Sequence, residues 1–139
     1  MKTLIKNAQI VNEGKIFKSD VLIENDLIAK ISSIISEENV DKIINAENSF
    51  LIPGVIDDQV HFREPGLTQK ADIASESAAA AAGGLTSFIE MPNTNPATTT
   101  NQLLQEKFDI AKNSSYINYS FMLGATNNNI EEIKNIKKS

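Results

Sequence analysis

The side chains best placed to do chemistry lie in one short stretch, Pro53-Gly54-Val55-Ile56-Asp57-Asp58-Gln59-Val60-His61-Phe62-Arg63-Glu64-Pro65-Gly66. It brings a histidine, an arginine and several carboxylates to what reads as the C-terminal end of a β-strand. In a parallel α/β sheet or barrel, ligands bind at that end. Residues 59, 61 and 63 alternate along the strand, so their side chains are expected on one face. A second stretch, Glu90-Met91-Pro92-Asn93-Thr94-Asn95-Pro96, follows another strand directly. Two prolines restrict its backbone and asparagine amides stand between them. Such a loop can clamp a ligand, because prepositioned donors lose little entropy on binding. Plainer readings fit the same residues. His61 can be a hydrogen-bonded structural histidine, Arg63 and Glu64 an ordinary ion pair, and residues 90–96 a Pro/Asn turn.

The elements around these stretches fall into two patterns. Up to residue 52 the apolar residues form short strands: Leu4-Ile5 with Ile10-Val11, Val21 to Ile23, Leu27 to Ile31, Ile43-Ile44, and Phe50 to Ile52. Asn25-Asp26, two residues that tolerate positive φ, predict a tight hairpin. No catalytic cluster is apparent in this part. Pro53-Gly54 marks a boundary. Beyond it, Val55 to His61 reads as a strand. Asp72 can cap a helix that runs through Ala78 to Ala82 and stops at Gly83-Gly84. Leu85 to Glu90 is a strand. Thr99 with Gln102 fits a capping box for a helix carrying Leu104, Phe108 and Ala111 on one face. Tyr116 to Leu123 is a third strand, and Asn129 to Lys137, with Ile130, Ile133 and Ile136, a third helix. Strand starts recur about every 30 residues, the size of a βαβ unit. That alternation predicts an α/β fold with parallel strands covered by helices. Three such units are too few for a closed barrel, which takes about 250 residues. An open doubly wound sheet is the alternative, and the pattern alone does not decide between them.

Composition narrows the function classes. The 139-residue chain has a net charge of -5, which argues against nucleic-acid or anionic-membrane partners. It has no cysteine, hence no disulfide framework and no thiolate metal site. Asn7 and Gln9 interrupt the N-terminal apolar residues, so no signal peptide is predicted. No apolar run approaches the roughly 20 residues of a membrane span. The expectation is a soluble cytoplasmic protein.

Pro53 to Gly66 resembles the signature of the dihydroorotases, in which a strand ends His-x-His-x-Arg followed by Glu-Pro-Gly. Met91-Pro92-Asn93-Thr94 resembles the second family segment at its expected distance, and Gly83-Gly84-Leu85-Thr86-Ser87 the lead into the second barrel strand. The resemblance covers the whole chain. It implies N-terminal β-sandwich strands over residues 1–52, then the first three βα units of an incomplete (β/α)8 barrel over 53–139. It implies a metal-dependent cyclic amidohydrolase that interconverts N-carbamoyl-L-aspartate and dihydroorotate in pyrimidine biosynthesis. One or two zinc ions would assist attack of water on the ring amide. His61 matches the second histidine of the metal pair. Arg63 and Asn93 match the residues that hold the substrate carboxylate, a task that suits the planar fork of an arginine. The resemblance also implies a small-molecule substrate as partner and a homo-oligomeric full-length protein.

The chain departs from the pattern at Gln59, which stands where the family usually has its first histidine, and at Gln69, where a histidine is common. An amide oxygen is a poor zinc ligand beside imidazole. No catalytic residue is expected within these 139 residues. The remaining ligands and the catalytic aspartate would lie downstream, and the piece alone is expected to be inactive. Two alternatives stay open: another cyclic amidohydrolase of hydantoinase or allantoinase type, and a dihydroorotase-like subunit that serves assembly without catalysis.

Overall fold

The computed structural model describes residues 1–47 and 49–136. The chain divides into two compact units, Met1–Pro53 and Gly54–Ser139.

The first unit is a five-stranded mixed sheet. Strand β1 (Lys2–Asn12) is flanked by antiparallel β2 (Lys15–Glu24) on one edge, and β3 (Leu27–Ser32) pairs with β2. On its other edge β1 pairs in parallel with β4 (Lys42–Asn45) and then β5 (Phe50–Leu51). Ala8, Ile10 and Val21 form its buried core. The predicted Asn25-Asp26 hairpin is present, with Asn25 at φ 55°. The two N-terminal apolar segments are one continuous strand. Asn7 does not end it but makes an irregularity in the pairing with β2, at φ 58°, and its N–H donates to Asp20 Oδ1 at 2.9 Å. Asp20, itself buried, also accepts from Ile35 N at 3.0 Å.

The second unit is a parallel sheet in the order β6 (Val55–Val60), β7 (Leu85–Glu90), β8 (Asn118–Phe121). Helix α1 (Ile73–Ala82) links β6 to β7, and α2 (Asn101–Ser114) links β7 to β8. The helices pack on each other, α1 on β7 and α2 on β8. Phe62, Ile73, Phe88, Ala111 and Phe121 form the core, with Leu104 and Phe108 against it as their spacing predicted. Phe62 and Phe88 stack with ring centroids 4.5 Å apart. Asp72 caps α1, accepting from Ser75 N at 2.7 Å, and these hydrogen bonds hold its carboxyl below the usual range. Gly84, just past the helix, takes φ 90°.

Several boundaries differ from expectation. Strand β6 ends at Val60 rather than His61, and β8 is shorter than Tyr116 to Leu123. The third helix, α3 (Ile130–Lys134), excludes Ile136, and Lys137 lies outside the described residues. The N-cap of α2 is Thr100, whose Oγ1 accepts from Leu103 N at 3.2 Å. The Thr99–Gln102 capping box is not formed: Gln102 Nε2 donates to Glu106 Oε1 instead. Thr100→Ala should therefore lower stability by about 1 kcal/mol, while Thr99→Ala leaves α2 capped. Denaturant unfolding of both variants in the full-length protein checks this.

Candidate functional site

The loops after β6, β7 and β8 gather at the C-terminal end of the parallel sheet. Backbone bonds tie them together. Met91 N donates to Val60 O (3.0 Å), Asn95 N to Pro65 O (3.1 Å), Met122 N to Glu90 O (2.9 Å) and Gly124 N to Thr98 O (2.8 Å). Gly66, at φ 82°, lies so close to Asn95 that an added Cβ would overlap its carbonyl oxygen. Buried Asn129 holds the third loop, with Nδ2 donating to Thr99 O (2.8 Å) and Gly124 O (2.7 Å), and Oδ1 accepting from Thr126 N (2.7 Å).

Two of the residues singled out from the sequence meet here. Asn93 Oδ1 lies 2.8 Å from His61 Nδ1. The amide oxygen can accept from Nδ1–H in the tautomer that leaves Nε2 with the lone pair. The Asn93 amide nitrogen remains a donor. Arg63 follows His61 closely but does not continue the strand alternation. Its φ is 71°, so the common face predicted for residues 59, 61 and 63 does not reach it. The Arg63–Glu64 ion pair is not formed. Glu64 Oε2 accepts from Ile73 N at 2.9 Å, at the start of α1, and among the described residues no ion pair involves Arg63. Gln59 is exposed near the end of β6, and Gln69 is exposed in the turn beyond Gly66.

One pair was not anticipated. Glu90, 1% exposed at the end of β7, and Lys107, fully buried on α2, form an ion pair with Nζ 2.7 Å from Oε2. Glu90 Oε1 accepts from Arg63 N at 3.0 Å, and Lys107 Nζ donates to Met91 O at 3.2 Å. The ammonium lies 4.9 Å from the centre of the Phe121 ring. Burial pushes the Glu90 carboxyl up and the Lys107 ammonium down, and each charge opposes the shift of the other. Breaking a buried pair from one side costs about 3–5 kcal/mol, because it strands a charge. Lys107 falls within the apolar stripe of Leu104, Phe108 and Ala111. That placement was the sequence signal for its burial.

The dihydro-orotase-like family matches residues 48–137. The chain belongs to that family. It is 46% identical over 100 residues to a dihydroorotase of Pediococcus pentosaceus, covering 72% of this chain and 23% of that protein. It is 52% identical over 98 residues to one of Carboxydothermus hydrogenoformans, covering 69% and 23%. With a dihydroorotase of Methanosarcina acetivorans it shares 37% identity over 132 residues, covering 95% and 28%. The chain thus spans about a quarter of the length of these relatives. Among solved structures it is similar to the L-hydantoinase (dihydropyrimidinase) of Arthrobacter aurescens, with a TM-score of 0.85 and 32% identity over 95% of this chain and 30% of that one. A D-hydantoinase gives a TM-score of 0.81 at 30% identity, over 96% and 30%.

For a member of the dihydro-orotase-like family, the donor set for a metal is partial. His61 offers one imidazole. Gln59 offers an amide. Among the described residues no three histidine, cysteine or acidic side chains gather as a metal-holding group. These residues supply at most one good ligand, and the rest of a centre would have to come from elsewhere. No described helix of this dihydro-orotase-like chain is long and apolar enough to cross a membrane.

Proposed function

We propose that this chain is part of a cytoplasmic dihydroorotase, an enzyme that interconverts N-carbamoyl-L-aspartate and dihydroorotate, and that it supplies the carboxylate clamp and one metal-facing imidazole. The observation that carries this reading is the meeting of His61 and Asn93 at 2.8 Å past the ends of adjacent parallel strands, with Arg63 two residues beyond His61 in the same loop. Arg63 offers a charged fork to the substrate carboxylate and Asn93 its amide N–H. The Asn93 carbonyl faces His61 Nδ1, an arrangement that suits the tautomer with Nε2 free for a metal. Clamp and imidazole are thereby fixed relative to each other, which aims the reacting amide. A zinc ion held in part by His61 would activate water and polarise the carbonyl. The sequential order β6-β7-β8 supports the reading of residues 53–139 as the opening of a (β/α)8 barrel, with residues 1–52 belonging to a β-sandwich. The rest of the barrel and the catalytic acid–base residue lie outside these 139 residues, so the piece alone is inactive. The whole enzyme is a homo-oligomer.

Two other readings have support. Hydantoinases among the structural neighbours favour a cyclic amidase for uncharged rings. Gln59 in the usual place of a histidine favours an assembly subunit without catalysis. One assay separates the three. The full-length protein, purified with zinc, is offered dihydroorotate, hydantoin and dihydrouracil. Dihydroorotate should be hydrolysed with kcat/KM at least about 100-fold above the uncharged rings, the worth of one or two charge-assisted bonds. Preference for an uncharged ring would replace the substrate. Turnover of none would leave the assembly subunit.

A further inference from the structure

We propose that Glu90 is a positioning residue for Arg63: its buried carboxylate, held by Lys107, accepts the Arg63 backbone N–H and so keeps that residue in the left-handed conformation from which its side chain serves the site. The inference rests on the carboxylate-clamp reading of Arg63 but adds residues that this reading does not use. A non-glycine residue at φ 71° is held against its own preference, and something must hold it. The bond that does so is Arg63 N to Glu90 Oε1, at 3.0 Å. It is charge-assisted and nearly dry, since Glu90 is 1% exposed. The other carboxylate oxygen meets Lys107 Nζ at 2.7 Å. Lys107 in turn donates to Met91 O, two residues before Asn93. One buried pair therefore grips the backbone on both sides of the clamp, at the exit of β6 and at the exit of β7. An apolar pair would fill the same space without gripping either loop. A pair serving only the core would need no bond to a loop N–H.

Single substitutions would strand a buried charge, so the test uses double variants of the full-length enzyme. Glu90→Gln/Lys107→Met removes both charges but keeps an oxygen that can accept from Arg63 N. Glu90→Leu/Lys107→Met removes both charges and the acceptor. Both lose the Lys107 grip on Met91 O, so they are compared with each other: the second should have kcat/KM about 10- to 100-fold below the first, mostly through KM. In an Arg63→Ala background the two double variants should differ by less than about threefold, because the residue that the acceptor positions has gone. Equal kcat/KM in the two double variants, or a full additional loss in the Arg63→Ala background, would overturn the proposal. Amide exchange on the unaltered protein supplies a reading independent of activity and of whether the variants fold. The Arg63 N–H should exchange at least about 100-fold slower than in a free peptide. Exchange at the free-peptide rate would show that no such bond holds it. If the unaltered enzyme turns over no substrate, the dihydroorotase reading fails and the exchange measurement alone decides this one.

Discussion

Gly66→Ala in the full-length enzyme should reduce kcat/KM by about 100-fold or more, the cost of misplacing catalytic groups by about 1 Å. Two causes act together. Gly66 takes φ 82°, where an L-residue loses about 1–2 kcal/mol. Its added Cβ would also overlap Asn95 O, a backbone atom that cannot rotate away. The loop carrying Arg63 would have to move off the loop carrying Asn93, and the Asn95 N to Pro65 O bond would break with it. Gly14→Ala is the internal control. Gly14 has φ 72° with nothing within 4 Å of an added Cβ, so it bears the conformational strain alone. It should lower stability by about 1 kcal/mol and leave kinetics unchanged. Matching kinetics for the two variants would mean that the closeness of the two loops has no bearing on activity.

Arg63→Lys should lower kcat/KM for dihydroorotate by about 10- to 100-fold, since a point charge does not reproduce a two-point contact. Zinc content should stay the same. Asn93→Ala should do more than weaken the clamp. It removes the acceptor that faces His61 Nδ1 and frees the ring to change tautomer, so zinc content should fall as well. Asn93→Asp separates the two effects. It keeps an acceptor for Nδ1 but faces the substrate with an anion, so zinc should be retained while KM rises. Normal kinetics for Arg63→Lys would remove the main reason to prefer dihydroorotate over an uncharged ring.

The parts of this molecule that could be read from its sequence are those whose causes are local. Asp72 announces α1 because a carboxylate just before a helix can accept from an N–H of its first turn, here Ser75 N, and Gly83-Gly84 ends that helix for an equally local reason. Leu85 to Glu90 is a strand bounded by glycine and proline, and it forms as expected. Asn7 misleads because its partner is thirteen residues away: Asp20 stabilises a left-handed residue within a strand, and without Asp20 in view the asparagine looks like an end. Thr99 and Thr100 are chemically alike; Thr100 caps α2, while the Thr99 carbonyl accepts from Asn129, a residue 30 positions away. The stripe of Leu104, Phe108 and Ala111 turns Lys107 toward the core, but that stripe does not reveal Glu90 as its partner there. In the site, His61, Arg63 and Asn93 are legible as a group from the family resemblance, but the left-handed backbone of Arg63 is not. It follows from a carboxylate on the next strand.

The topology of the first sheet sets an order of events during synthesis. Strand β1 is made first, and its edge toward β2 is covered as soon as the next hairpin leaves the ribosome. Its other edge waits for β4 and β5, the last of which ends at Leu51, about 40 residues behind Asn12. At about 5–20 residues per second, synthesis of that interval takes roughly 2–8 s, during which the edge would lack its partners from this sheet. An unpaired strand edge is a template for pairing with another chain. Slow codons between β3 and β5 would lengthen the interval, and neighbouring nascent chains on one message would be the first available partners. The vulnerability of this unit to misassembly is thus a matter of translation rate as much as of final stability.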